Sequence, residues 1–230
     1  MPISNNDLMT MHCDALYVHN EREELVCGND WLGRPAPLLW LGFTHTKILR
    51  RFRADVAPEI RRQIEALVAQ EEVTPANRLP RHHEAYCDLL EVLDATAGPT
   101  YRVTNLQGPF GQRTQRITPA NADILSNSDL AAWHPDIPYQ QPMFTAIENE
   151  QAVAICASVR ITSAAHEAGV ETVPHYRRRG YAAAAVAAWA QSLLTAGIVP
   201  LYSTAWENLA SQGVARRVGF TAFGWEYRLG

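Results

Sequence analysis

The sequence predicts an α/β chain, α+β in its mixing of elements, with a mixed, mostly antiparallel central sheet flanked by helices. Three observations predict this. Two apolar runs, Met143–Ile147 and Ala152–Ile161, are separated only by Glu148-Asn-Glu-Gln151, a spacing that makes a tight antiparallel hairpin. A strand over His166–Val173, an alanine-rich helix and a strand over Pro200–Thr204 follow in order, and a strand–helix–strand crossover makes a parallel pair. Over residues 1–100, short apolar runs and two amphipathic helices form an α+β extension.

Composition bounds the function. The chain has 230 residues, 47% hydrophobic and 19% charged, globular values with enough length for a real core. A formal net charge of −4 gives no general case for nucleic acid or a membrane surface. No apolar run approaches the ~18 residues of a membrane span. The opening Met1-Pro2-Ile3-Ser4 lacks the basic and apolar regions of a signal peptide. Cys13, Cys27, Cys87 and Cys156 are far apart with no Cys-x-x-Cys pair, so they read as reduced thiols of a cytoplasmic protein. No metal site is expected.

Residues 11–50 read as strands and turns. Ala15–His19 and Glu24–Cys27 form a hairpin, Gly28-Asn29-Asp30 is a turn, and Pro37–Phe43 is a buried strand. Lys47–Arg53 alternates too poorly to assign. A helix spans Asp55–Glu71, with Asp55 as cap, Pro58-Glu59 in the first turn, and Val56, Ile60, Ile64, Leu67 and Val68 on one face. A second runs from about Glu84 to Asp94 with Tyr86, Leu89, Leu90 and Leu93 inward. His82-His83 before it point in different directions and read as a solvated helix start.

Gly98-Pro99 is turn chemistry, and a domain boundary is placed there, dividing residues 1–100 from 101–230. Gly108-Pro109-Phe110-Gly111 reads as a hairpin loop or an active-site flap. Thr118 caps a helical turn with Pro119 at its first position. His134-Pro-Asp-Ile-Pro138 is a proline-broken loop. The alanine-rich helix reaches about Thr195, with Gly197 at its end. Asn208–Val218 is a further helix and Ala222–Leu229 a final strand.

One stretch carries chemistry. After the strand come Pro174, then Arg177, Arg178, Arg179 and Gly180, then the helix from Tyr181. The first N–H groups of a helix have no internal partners, and its dipole is positive there. Both favour a phosphate, and glycine lets the backbone approach it. The stretch reads as a pyrophosphate cradle.

Arg177-x-x-Gly180-x-Ala182 resembles the Q/R-x-x-G-x-G/A motif of the GNAT N-acetyltransferase superfamily. Downstream, Leu201–Asn208, Ser211 and Ala215-Arg-Arg-Val-Gly219 resemble a bacterial subgroup. The likeness covers about residues 113–230; residues 1–100 carry no motif of their own, and a second, degenerate copy of the same fold there is a third reading. The resemblance implies a GNAT-like C-terminal domain with acetyl-CoA as co-substrate. Val170, Thr172 and Val173 would pair with its pantetheine arm like an added strand. Arg177, Arg178, Arg179, Gly180, Tyr181, Ala182 and Ala183 would hold the pyrophosphate, and Asn208 and Ser211 would lie near the arm.

The acceptor is then the amine of a small molecule, with the alternative that the domain binds acyl-CoA without turnover as a regulatory module. Amine attack on a thioester needs a base. Glu167, Glu171 and His166 are on the strand, and the two glutamates share a face by alternation; Glu167 is preferred. A backbone N–H around Thr172 would bind the oxyanion. Many members of the superfamily carry a tyrosine acid where this chain has Ala215, so Ser211, Ser203 or Tyr202 takes that role, or the thiolate leaves unprotonated. Trp133, His134, Tyr202 and Trp206 are candidates to line the acceptor pocket. A homodimer is compatible with the sequence.

Overall fold

The computed structural model describes residues 3–73, 78–108 and 110–230. Met1, Pro2 and Pro109, used in reading the N-terminus and the glycine-flanked loop, lie outside the described residues. In chain order the elements are α1 Asn5–Leu16, β1 Tyr17–His19, β2 Leu25–Gly28, β3 Leu39–Phe43, β4 Ile48–Phe52, α2 Pro58–Val68, α3 His83–Leu90, β5 Ala95–Arg102, β6 Arg113–Ile117, α4 Asp123–Ser126, β7 Met143–Glu148, β8 Gln151–Ile161, β9 Ala165–Thr172, α5 Tyr181–Thr195, β10 Val199–Ser203, α6 Leu209–Val218 and β11 Thr221–Leu229. Among the described residues the main sheet has nine strands in the order β4-β3-β11-β5-β10-β9-β8-β7-β6. The β3–β4, β3–β11, β6–β7, β7–β8 and β8–β9 pairs are antiparallel, and β9–β10 is parallel. The fold class is therefore the expected mixed, mostly antiparallel sheet with helices.

The chain forms two compact units. One is Met1–Thr100 with Ser203–Asn208 and Ala222–Gly230; the other is Tyr101–Tyr202 with Leu209–Thr221. In the first, α2 and α3 cover a core of Leu39, Leu41, Phe43, Ile64, Tyr86, Trp225 and Tyr227. Its interior also holds a charged group. Glu226 is 2% exposed and accepts a 2.7 Å hydrogen bond from the Trp40 indole, with His12 at 3.3 Å and Arg228 at 3.6 Å. Burial alone would raise its pKa; Arg228 and His12 outweigh that and hold it at about 2.

Several local expectations for this unit change. Residues 11–16 are not strand but the end of α1. Ser4 caps that helix by accepting from the Asp7 N–H, and Leu8, Met9, His12, Cys13, Ala15 and Leu16 make one buried face. The unassigned Lys47–Arg53 segment contains β4. Asp55 does not cap α2: its carboxylate is paired with Arg53, and the N-cap is Ala57. Glu91 takes a left-handed conformation at the end of α3, so Leu93 is 88% exposed rather than inward. Gly98-Pro99 lies within β5, not in a turn. A Cβ at Gly98 would fall 1.7 Å from the Thr204 carbonyl oxygen, so the glycine serves close backbone approach within the strand.

In the second unit, α5 lays Val186, Trp189, Ala190 and Leu193 against Ala146, Ala154 and Cys156 of the sheet. The Trp189 indole donates to Ser158 Oγ at 2.9 Å, which satisfies the polar end of the largest side chain in this core. The opposite face of β7 and β8 packs Met143, Ile155 and Ala157 against Leu125, Leu130 and Ile137. Thr118 and Asn121 form the cap of a short helical turn at Pro119–Asn121, as the Thr-Pro pair predicts.

Candidate active site

The site is built where β9 and β10 part. Their parallel pairing is Val199↔Ala165, Pro200↔His166 and Leu201↔Glu167, and it ends there, while β9 continues to Thr172. On its other side β9 stays paired to β8 through Ala154↔Thr172, and the Val173 N–H donates to the Val153 carbonyl at 3.0 Å. Hydrogen-bonded and non-hydrogen-bonded pairs alternate along an antiparallel ladder. Val173 and Glu171 therefore point their backbone groups at β8, and Val170 and Thr172 point theirs away from it, towards the side that β10 has left. The Thr172 carbonyl also accepts from Arg177 Nε at 3.3 Å. Val173 differs from its expected role: its N–H is committed to Val153, its carbonyl accepts from the Tyr176 N–H, and its side chain is buried.

From Thr172 the chain makes a short turn at Pro174–Tyr176 and enters α5 through Gly180. Arg178 and Gly180 both have positive φ, +60° and +90°, and only glycine adopts the second without strain. The first intrahelical bond runs from the Ala184 N–H to the Gly180 carbonyl, so the N–H groups of Tyr181, Ala182 and Ala183 have no helical acceptor. No side chain caps the helix and its first turn holds no acidic residue.

The three arginines are not equivalent. Arg177 reaches back to Thr172. Arg179 lies over the rings of Tyr176 and Tyr181, 5.3 and 5.2 Å from their centroids, and 3.3 Å from Glu148 Oε1. Two residues to which the sequence reading gave no role stand beside Gly180. A Cβ built on Gly180 would lie 3.0 Å from Gln112 Nε2 and 3.3 and 3.4 Å from the two terminal nitrogens of Arg217. Gln112 also donates to the Arg179 carbonyl at 3.0 Å.

The candidate catalytic side chains separate by face. Ala168 and Val170 pack on the α5 side of β9, and alternation puts Glu167 and Glu171 on the other. Glu167 is 3% exposed and sits at the last β9–β10 pair. Glu171 is exposed and its carboxylate accepts from the Trp133 indole at 2.6 Å. His166 is buried, 2.9 Å from Ser158 Oγ, and burial lowers its pKa. On β10, next to Leu201, the Tyr202 hydroxyl is 2.7 Å from Ser211 Oγ. Burial pushes the Tyr202 phenol well up, which keeps it a protonated donor. Ala215 is fully buried in the same cluster. Asn208 belongs to the other unit, one residue before α6, with its N–H bonded to the Ala205 carbonyl.

Residues 144–229 match the model of the GNAT acetyltransferase family. That segment is similar to the GNAT acetyltransferase family. Solved structures share the fold. A GCN5-related N-acetyltransferase-like protein from Streptococcus suis superposes with a TM-score of 0.51 at 15% identity, over 85% of each chain. A GNAT-family acetyltransferase from Colwellia psychrerythraea gives 0.50 at 13%, over 79% of this chain and 75% of its own. A GNAT-family protein from Novosphingobium aromaticivorans gives 0.50 at 18%, over 60% of this chain and 65% of its own. No curated protein matches the sequence. GNAT proteins are in general acyl-CoA-dependent enzymes. Among the described residues there is no cluster able to hold a metal ion, and no helix long and apolar enough to cross a membrane.

Proposed function

We propose that this chain is a GNAT-type, acyl-CoA-dependent N-acyltransferase that moves an acetyl group from acetyl-CoA to the amine of a small molecule. The observation that carries this reading is the juxtaposition of an open strand edge and an anion-ready helix start on one short segment. Val170 and Thr172 present backbone donors and acceptors that a pantetheine arm can meet as an extra strand. Eight residues after Thr172, Gly180 leaves the place where a Cβ would stand against Gln112 and Arg217. A pyrophosphate suits that place by charge.

The residues divide the chemistry as follows. Glu167, at the point where the strands part, takes a proton from the ammonium form of the acceptor, directly or through water, because an amine near the lysine reference pKa of ~10.4 is otherwise protonated at neutral pH. Its burial at the fork distinguishes it from Glu171, whose carboxylate is exposed and held by Trp133. An outward N–H of the β9 edge stabilises negative charge on the carbonyl oxygen. The Ser211 hydroxyl, hydrogen-bonded to Tyr202, returns a proton to the departing thiolate in place of the tyrosine that Ala215 replaces.

Ala215 is also the observation that favours a second reading, an acyl-CoA-binding module without turnover. One assay separates the two: release of free thiol from acetyl-CoA with a panel of primary amines. Amine-dependent thiol release supports the enzyme. Calorimetric binding of acetyl-CoA with no release across the panel supports the module, and no binding at high micromolar concentration overturns both.

A further inference from the structure

The Arg177-x-x-Gly180-x-Ala182 motif accounts for Gly180 and its neighbours; Arg217 belongs to the downstream Ala215-Arg-Arg-Val-Gly219 stretch, which carries no assigned role. Arg217 is in the last turn of α6, far from Gly180 in sequence, yet its guanidinium reaches the position where a Gly180 side chain would be. It lies over the Phe110 ring, 5.9 Å from the centroid. Among the described residues no carboxylate pairs with it, whereas Arg179 has Glu148 and Arg113 has Glu150. A guanidinium beside the positive end of α5 is electrostatically unfavourable unless an anion is shared between them.

The segment joining β5 to β6 supports that placement. The Gln107 N–H donates to the Val218 carbonyl at 2.8 Å. A Cβ on Gly219 would be 2.9 Å from the Asn105 carbonyl oxygen, so the segment runs tight against the end of α6. Farther along, Phe110 carries the guanidinium on its ring, and Gln112 bonds to the Arg179 carbonyl. The segment is thus fastened to α6 at one point and to the α5 turn at another, with Arg217 between.

We propose that Arg217 is a phosphate clamp of the cofactor site, binding the pyrophosphate of acyl-CoA opposite the α5 N-terminus, and that Phe110 positions it. The inference rests on the acyl-CoA reading above. Arginine suits the task because its planar fork meets two phosphate oxygens at once.

The test is calorimetric titration of CoA and of 3′-dephospho-CoA into the full chain, wild type, Arg217→Ala, Arg217→Lys, Phe110→Leu and Phe110→Trp. The expected result is at least a tenfold loss of affinity for both ligands in Arg217→Ala and a smaller loss in Arg217→Lys, with the melting temperature of the free protein unchanged. Phe110→Leu should lose affinity, and Phe110→Trp, which restores an aromatic face, should recover most of it. Unchanged affinity in Arg217→Ala, with wild type binding normally, overturns the clamp and leaves the acyl-CoA reading intact. A loss confined to CoA moves Arg217 to the 3′-phosphate and overturns the pyrophosphate assignment. If Arg217→Ala does not fold, an Arg217→Lys affinity equal to wild type is the overturning result, because a point charge then suffices. Failure of wild type to bind either ligand overturns the acyl-CoA reading itself.

Discussion

Two helix starts in this protein face the same electrostatic problem and meet it in different ways. At the start of α2, Pro58 occupies the first turn and needs no N–H acceptor, and Glu59 brings its own negative charge. That carboxylate accepts from Arg62 and Gln63, and hydrogen bonds from Gln63 and Arg62 lower its pKa. At the start of α5 there is no acid and no side-chain cap. Positive charge accumulates there instead, from Arg177 to Arg179 and from Arg217. The first start is complete within the chain. On the proposed reading the second is completed by an anion from outside, and that difference would separate a structural helix terminus from a binding one.

The comparison can be broken by placing an acid at each start. Gly180→Glu should weaken CoA binding 100-fold or more by calorimetry. The new side chain requires a φ of +90°, costs roughly 1–2 kcal/mol of backbone strain, meets Gln112 and Arg217, and supplies an internal anion. Ala57→Glu, at the cap of α2, should leave CoA affinity unchanged. Equal effects at the two positions would remove the distinction.

Next in size is the strand fork. Glu167→Gln should lower kcat by about 100-fold, the lower range for loss of a general base, with CoA affinity retained. Glu171→Gln should change kcat by only a few-fold. Steady-state kinetics with an active amine decide this, and the opposite ranking would move the base to the Trp133 side.

A buried carboxylate satisfied from within provides an internal contrast to the open cradle. The Glu226 pKa in the folded state, about 2, lies below the unfolded value of about 4.3. Its ionised form therefore contributes stability that is present above pH ~4.3 and lost as pH falls towards 2. The contribution is on the order of 3 kcal/mol. Urea melts across that pH window should show the loss, and Glu226→Gln should be destabilised at neutral pH with a flatter acid profile. The smallest effect belongs to Glu59. Because its ion pair is exposed, Glu59→Gln should shift the melting temperature by no more than about 2 °C, as read by differential scanning calorimetry, and should leave CoA affinity alone.

What the sequence made legible follows physical range. The β7–β8 hairpin, the β9–α5–β10 crossover and α6 declare themselves through local periodicity and turn chemistry, and the turn into α5 through the order of strand, glycine and helix. The hydrogen-bonding direction of β9 also follows from alternation once one pair is known: Val170 and Thr172 point away from β8, and the Val173 N–H is committed to Val153. Other features depend on distant partners. Gly98-Pro99 has turn composition, but the approach of Thr204 makes it strand. Leu93 continues a helical stripe, but Glu91 ends the helix first. α1 was legible in principle from Ser4 and the spacing of Leu8, Met9, His12 and Cys13, and its mixed polar composition hid it. Gln112 carries no signal of its own, and the stretch that contains Arg217 does not say what the guanidinium faces, because only the folded chain brings the two to Gly180.

The central claim is that the α5 start is the anion-binding one. Amide chemical shifts of the 15N-labelled chain, followed as CoA is added, test it most directly. The account predicts saturable shifts that are largest at Gly180, Tyr181, Ala182 and Ala183, with Glu59, Ile60 and Arg61 unmoved. Shifts centred on α2, or none at Gly180–Ala183 while CoA binds, would contradict it.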